Sequence, residues 1–298
     1  MPAGDSEFLR STAVISSLVE RKTREAEAAT ISPLLTESES LMASSLASIG
    51  NEWTTRLYDG GFHLFDPPAT LPSINLVFVQ SSNGNTVAAN PATLGGGATD
   101  LHLIYEGLSR VAADAVLAGA GSVGGKEAFF SVWHPELVAL RRTFALPRHP
   151  TQIVVSTHGR VDVDRSLLFN VPDVPVFLLA GAPCRDRCAA ALASKPWTTV
   201  LPLEPDGLAA ALSRLRIEYG IRRISAIGGR ITATSLIDAG VVQDLCLTTS
   251  AREGGEPNTP YYAGASPPGK DLIVRKMGTD PACPIVFEHF AFHRRPSA

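Results

Sequence analysis

From Ser73 onward, short β-branched runs alternate with stretches whose apolar residues recur every three or four positions, and this predicts alternating strands and helices. The runs "INLVFVQ" (Ile74 to Gln80), "DAVLAG", "TQIVVS", "VPVFLLA", "TTVLPL", "RRISAI", "VVQDLCLTTS" and "PIVFEHFAFHR" read as strands. Between them, "TDLHLIYEGLSRVAA" places Leu101, Ile104, Leu108 and Val111 on one helical face. "SVWHPELVALRRTFAL", "CRDRCAAALASK", "DGLAAALSRLRIEYG" and "ITATSLIDAG" also read as helices. Single helices between strands predict a mainly parallel sheet covered on both faces. The two late strands with no helix between them predict an antiparallel edge. Before Ser73 the pattern differs. "EFLRSTAVISSLVERKTREAEAA" has helical spacing, and "TESESLMASSLASIGNEWTTRL" opens on Thr36 with Glu39 three residues on, the signature of a capping box. "FDPPATLP" follows as an extended connector. The expected organisation is a helical N-terminal extension over residues 1–72 and one main domain over 73–298.

Composition narrows the partners. Apolar residues make up 45% and charged residues 18%, the balance of a soluble globular chain. A net charge of -3 leaves no basic field, so nucleic acid is not an expected partner. No run approaches the ~18 apolar residues of a membrane span, and "MPAGDSEFLR" lacks the apolar core of a secretory signal. Cys184, Cys188, Cys246 and Cys283 are too scattered for a disulfide framework. A cytoplasmic protein with a small-molecule partner is the expectation.

Chemistry is expected where strands hand over to helices, because helix N-termini there present unpaired N–H groups to anions. Two such junctions are glycine-rich, "GAGSV" (Gly119 to Val123) and "GGR" (Gly228 to Arg230), and glycine lets a pyrophosphate approach the main chain. A third, "VVSTHGR", sets Ser156 and Arg160 where hydroxyl and guanidinium donors suit a ribose 2′-phosphate. "GAGSVG" is not a full dinucleotide fingerprint, since no acidic residue closes a following strand at the required distance. His289 and His293 lie ~13 Å apart along one strand, too far to share a metal, and read as edge or interface histidines. No metal site is expected. Neither a zinc-deaminase pattern nor a GxSxG elbow occurs.

Taken in order, "INLVFVQSSNG", "LSRVAADAVLAGAGSV", "PTQIVVSTHGR", "GIRRISAIGGRITATSLIDAGVVQDLCLTTS" and the closing strand resemble the pyrimidine reductases of the riboflavin pathway, in the dihydrofolate reductase-like superfamily. The resemblance spans about residues 73–293. It implies a dihydrofolate reductase-like three-layer α/β/α fold with a mostly parallel central sheet and an antiparallel C-terminal edge. It also implies a homodimer, NADPH as cofactor, and hydride delivery to an imine-like carbon of a pyrimidine-type substrate, as in 5-amino-6-(5-phosphoribosylamino)uracil reductase. Gly119, Gly121, Ser122 and Val123 match the family's "GxGTV" cofactor loop. Ser156 and Arg160 match the region beside the adenosine 2′-phosphate, and Gly228, Gly229 and Arg230 match the paired-glycine turn over the pyrophosphate.

Several positions depart from the family pattern. Asn83 stands where the Ser-x-Asp-Gly turn has Asp, Ile227 replaces the glutamate before the paired glycines, and an acidic pair is missing from "GGKEAFF". Leu103 and Ile104 occupy the place of an arginine that meets the substrate 5′-phosphate. Candidate substrate contacts are Ser82, Asn83, Thr93 and Asp100, with Asn75, Gln80 and Gly95 to Gly97 in the expected pocket. Asn83, His102 and Glu106 form the candidate catalytic group, and a solvated i,i+4 pair is the plainer account of the last two. The departures leave open a reductase of dihydrofolate or another pterin-like compound, and a non-catalytic nucleotide-binding protein.

Overall fold

The computed structural model describes residues 14–124, 127–157, 159, 161–204 and 207–293 of the 298-residue chain. Helix α1 (Ser16–Glu27), strands β1 (Leu34–Glu39) and β2 (Ala47–Ile49), helix α2 (Glu52–Tyr58) and strand β3 (Phe62–Leu64) precede β4 (Ser73–Gln80). Helix α3 begins with the turn Gly97–Thr99 and continues through Asp100–Leu108. Then come β5 (Ala115–Gly119), α4 (Pro135–Thr143), β6 (Thr151–Ser156), β7 (Val176–Ala180), α5 (Ala182–Leu192) and β8 (Thr198–Pro202). The chain continues with α6 (Gly207–Ile217), β9 (Arg223–Ala226), α7 (Arg230–Asp238), β10 (Asp244–Ser250), β11 (Lys270–Gly278) and β12 (Ile285–Phe292).

Ten strands form one sheet in the order β1-β11-β12-β10-β4-β9-β5-β6-β7-β8. From β10 to β8 every pair is parallel, whereas β12, β11 and β1 add an antiparallel edge. Alternation along the strands assigns the two faces. Ile74, Leu76, Leu117 and Ile224 pack under Leu212 and Leu215 of α6 and Ala233 and Leu236 of α7. On the other face, Val77, Cys246 and Phe287 meet Leu103, Ile104 and Leu108 of α3 and Leu137 and Leu140 of α4. Further along that face, Ala118, Val154 and Leu178 meet α1 and α5. The result is the three-layer α/β/α architecture. No helix among the described residues is long and apolar enough to cross a membrane.

The N-terminal segment corrects one expectation. Thr36 and Glu39 do not open a helix, because residues 34–39 pair with β11 and extend the sheet. Leu34 is fully buried among the residues under α2 and α3, and this burial together with the β11 hydrogen bonds outweighs a local capping signal. A capping box does occur one element later. Asn51 Oδ1 accepts from Thr54 N at 3.0 Å while Thr54 Oγ1 accepts from Asn51 N at 2.9 Å, which starts α2 and is worth about 1 kcal/mol. Strand β11 escaped the periodicity because its register shifts between Leu272 and Val274, burying Ile273 and Val274 in succession.

Helix α3 also departs from an ideal α-helix. Its residues 100–108 are π-helical, closing with Ser109 N–H to Ile104 O at 2.9 Å, five residues back. The wider turn buries Leu103, Ile104 and Leu108 and leaves Leu101 48% exposed, so the face predicted from α-helical spacing is rotated.

Candidate active site at the carboxyl edge of the sheet

Parallel strands present their carboxyl ends along one edge, and here that edge has a step. β9 pairs with β4 only as far as Ala226 opposite Leu76, and then leaves the sheet. β4 runs on for residues 77–80, ~13 Å further, still paired with β10 through Gln80 opposite Thr249. Gln80 Nε2 donates to Thr249 Oγ1 at 2.9 Å on top of this wall. At the foot of the step β9 and β5 lie side by side, and the helices that follow them depart to opposite faces, α7 to one and α4 to the other. Such a divergence opens a crevice at the strand ends.

Both glycine junctions stand at these strand ends, and their glycines divide into two kinds. A Cβ on Gly119 would collide with Thr232 Oγ1, and one on Gly228 would stand 2.8 Å from Thr232 Cβ and Cγ2. These two glycines let the first turn of α7 rest on β5 and β9. A Cβ on Gly121 or Gly229 would instead have no described atom within 4 Å. Val123 is buried in the core and anchors the short turn that holds Gly121 and Ser122 out to solvent. Gly229 is the N-cap of the nine-residue α7, and no side chain caps that terminus. Arg230 Nε, buried beside it, has no hydrogen-bond partner among the described residues. Open glycines, an uncapped N-terminus and an orphaned guanidinium nitrogen are groups to which an anion could bond.

At the end of β6, Ser156 is buried and its Oγ donates to Gly159 O at 3.2 Å. Arg160 lies outside the described residues. Arg187, which sequence reasoning passed over, donates from Nη2 to the same Gly159 carbonyl at 3.2 Å.

The candidate substrate contacts spread over three neighbouring places. Asn83 and Ser82 are exposed in the turn after β4. Asn83 Oδ1 accepts from Ser81 Oγ at 2.5 Å and from Asn85 Nδ2 at 3.0 Å, so the amide oxygen shapes the turn. Thr93 is exposed in the 3-10 turn Pro91–Leu94 and donates to Asn90 O at 2.7 Å. Asp100 is buried at the start of the π-helical stretch, against the Cα of Gly96, where a Cβ would sit 2.8 Å from the aspartate Cβ. Burial pushes its carboxyl up to about 6, against a smaller opposing pull from the nearby Thr248 hydroxyl, and Oδ1 has no hydrogen-bond partner among the described residues. Arg252, not anticipated from the sequence, is exposed between these places. Its Cδ lies 3.0 Å from where a Cβ on Gly95 would stand, and its carbonyl accepts from Ser82 N at 2.8 Å.

His102 and Glu106 come together, but inside the protein. Both are buried, with His102 Nδ1 2.8 Å from Glu106 Oε2. Glu106 Oε1 accepts from the N–H groups of Trp133 and His134, the latter at 2.6 Å, tying α3 to the start of α4. The plainer expectation of a solvated pair therefore fails, because the next segment of chain covers it. Asn75 is not in the substrate pocket. It sits near the amino end of β4, where its Nδ2 donates to Asp244 Oδ2. His289 is likewise no edge residue, being fully buried with Nε2 2.7 Å from Asp244 Oδ2.

Comparisons with known proteins agree with this fold. Among solved structures, a pyrimidine reductase-like protein from Corynebacterium diphtheriae aligns with a TM-score of 0.58 at 20% identity, covering 75% of this chain and 93% of that one. RibD from Acinetobacter baumannii aligns with a TM-score of 0.56 at 15% identity over 76% of this chain and 59% of its own length. The Thermotoga maritima diaminohydroxyphosphoribosylaminopyrimidine deaminase/5-amino-6-(5-phosphoribosylamino)uracil reductase aligns at 0.51 and 14%, over 75% and 57%. These likenesses establish the fold, and the chain spans just under three-fifths of the length of the Acinetobacter and Thermotoga proteins. No curated protein matches by sequence. The model of the RibD C-terminal domain matches residues 88–276, well over half of the chain and both glycine junctions, so the protein belongs to the RibD C-terminal domain family.

Proposed function

We propose that the protein is an NADPH-dependent reductase of a pyrimidine-type heterocycle, with a substrate like that of 5-amino-6-(5-phosphoribosylamino)uracil reductase. The observation that carries this reading is the cradle at the foot of the step, where Gly121 and Gly229 open on space beside the uncapped start of α7 and the orphaned Arg230 Nε. These residues fit a dinucleotide. Gly121, Ser122, Gly229 and Arg230 would hold the pyrophosphate, and Ser156 with Arg160 the 2′-phosphate end. Bound there, NADPH supplies the hydride. The chain's own part is to orient the substrate against the β4 wall through Ser82, Asn83 and Thr93. Reduction of a C=N carbon leaves an electron pair on nitrogen, and Asp100, neutral below about pH 6, is the side chain we assign to protonate it. His102 and Glu106 position α3, and thereby Asp100, from behind.

The cofactor reading is tested by thermal shift. NADPH should raise the melting temperature more than an equal concentration of NADH, and Arg160→Ala should remove that difference. Equal shifts from both dinucleotides, or from neither, would count against it.

A specific observation bears on the substrate. Leu103 and Ile104 are fully buried, so α3 offers no cation to a 5′-phosphate, whereas Arg252 stands exposed beside Gly95 and the Ser82 turn. For a phosphorylated substrate, Arg252→Ala should raise KM about tenfold or more with little change in kcat. An unchanged KM favours the second reading, a reductase of an unphosphorylated pterin-like compound.

A further inference from the structure

A second group of convergent polar side chains lies toward the opposite end of the sheet. Asp244 and Cys246 are alternate residues of β10, Asn75 of β4 is the register partner of Asp244, and His289 of β12 is the partner of Cys246. All four therefore project from one face of three adjacent strands. Asp244 is five residues, ~16 Å, from the Thr249 end of β10 that borders the crevice.

The ligating atoms of Asp244, Cys246 and His289 all lie within 4.8 Å of one another, and all three residues are buried. A tetrahedral ion with bonds of about 2.0–2.3 Å needs ligand atoms roughly 3.3–3.8 Å apart, so the hydrogen-bonded Asp244 and His289, 2.7 Å apart, must open slightly and the wider separations close, each by under ~1 Å. Asn75 Nδ2 donates both to Asp244 Oδ2 and, at 3.2 Å, to Cys246 Sγ. Such a donor fixes the carboxylate and stabilises a thiolate, the role outer-sphere groups play around metals.

The surroundings are short of partners. Asn75 Oδ1, Tyr58 Oη, His63 Nδ1 and His289 Nδ1 have none among the described residues. Tyr58 and His289 are fully buried, Tyr58 within electrostatic reach of Cys246 and His63 within reach of His289. An orphaned group costs about 1–3 kcal/mol, and Asn75 Oδ1, on the residue that bridges Asp244 and Cys246, calls for something further to bond to. Asn75 and Asp244 also line a cavity with His63, Ser73, Ser109 and Arg223 that leaves about 30 Å³ for the centres of water-sized molecules, enough for bound water.

We propose that Asp244, Cys246 and His289 bind a transition-metal dication of the zinc type, with its fourth position open to water in this cavity. Carboxylate, thiolate and neutral imidazole are the donor set such an ion takes, and the two anions balance its charge in a buried place. Binding releases the Cys246 thiol proton to solvent as the S–metal bond forms. The motif is invisible in sequence because its ligands belong to β10 and β12, which are separated by a whole strand.

The probe is Co²⁺ added to the full chain, read by absorption, with no use of reductase activity. Wild type should take up a single equivalent with a thiolate-to-cobalt charge-transfer band and the intensified visible bands of a four-coordinate ion, and Zn²⁺ should displace it. Cys246→Ser should abolish the charge-transfer band, the Cys184→Ser/Cys188→Ser double variant should keep it, and His289→Gln should weaken binding at least about tenfold. Asp244→Asn, nearly isosteric, is the second variant should Cys246→Ser fail to fold, and it should weaken binding to the same degree. No band from wild type in excess Co²⁺, a band surviving Cys246→Ser, or affinity unchanged in Asp244→Asn overturns the proposal.

Discussion

Gly229→Ala and Gly121→Ala should leave the fold at least as stable as wild type while weakening NADPH binding about tenfold, whereas Gly119→Ala should destabilise the fold itself. The difference follows from what a methyl group would meet. At Gly229 the backbone has φ -61° and ψ 170°, open to any L-residue, and no described atom lies within 4 Å of the added carbon. Removing glycine's freedom in the unfolded chain should then add about 0.4–1 kcal/mol of stability. The same methyl would intrude on the space of the proposed pyrophosphate against the first N–H groups of α7, and tenfold in affinity is about 1.4 kcal/mol. Valine at Gly229 should extend the loss to about a hundredfold or more.

At Gly119 the methyl runs into Thr232 Oγ1, and overpacking of this kind costs about 1–3 kcal/mol. Thr232→Ala should restore Gly119→Ala, because Thr232 Cβ stands 3.5 Å from the added carbon and is an ordinary neighbour. It should restore Gly228→Ala only in part, because truncation removes Thr232 Cγ2 but leaves Cβ 2.8 Å from the added carbon. Denaturant melts of the two double-mutant cycles check this, with a coupling of at least about 1 kcal/mol and full recovery expected for the first, and a recovery that stays incomplete for the second. A Gly229→Ala protein that binds NADPH as wild type does would remove the pyrophosphate from this junction.

These glycines also show where sequence reading stops. The two glycine-rich junctions were legible, because glycine at a strand-to-helix handover is a local signal, and the parallel strands β4 to β10 were legible from their β-branched runs. That Gly119 and Gly228 serve packing while Gly121 and Gly229 face open space was not, since the distinction rests on Thr232, whose neighbours are set by how α7 settles on the sheet. His102 and Glu106 could be paired from their spacing, but the Trp133 and His134 amides that bury them come from a segment almost thirty residues on. β1 and β11 failed for complementary reasons. β1 carried a helix-start signal overridden by pairing, and the bulge in β11 interrupts the alternation that marks a strand.

Asp100→Asn should lower kcat by about 10²–10⁴ and at the same time stabilise the protein above neutral pH. Both effects come from one buried carboxyl. Its pKa is pushed from 3.8 up to about 6 by burial, so the folded state holds the proton over a range in which the unfolded state has released it. The stability this proton confers is complete below about pH 4, falls as pH rises toward 6, and is gone above it. A difference of roughly two pKa units corresponds to about 3 kcal/mol over that window. Asparagine has the same shape and no proton to lose. The variant should therefore match wild type near pH 4 and exceed it by up to about 3 kcal/mol at pH 8, as read from urea melts across pH. A destabilising acid whose Oδ1 has no partner among the described residues, at the carboxyl edge where the substrate is expected, is what the proposed proton donor requires. Full turnover in Asp100→Asn together with the gain in stability would reduce that aspartate to a defect of packing, and would move the proton donor to the substrate or to water.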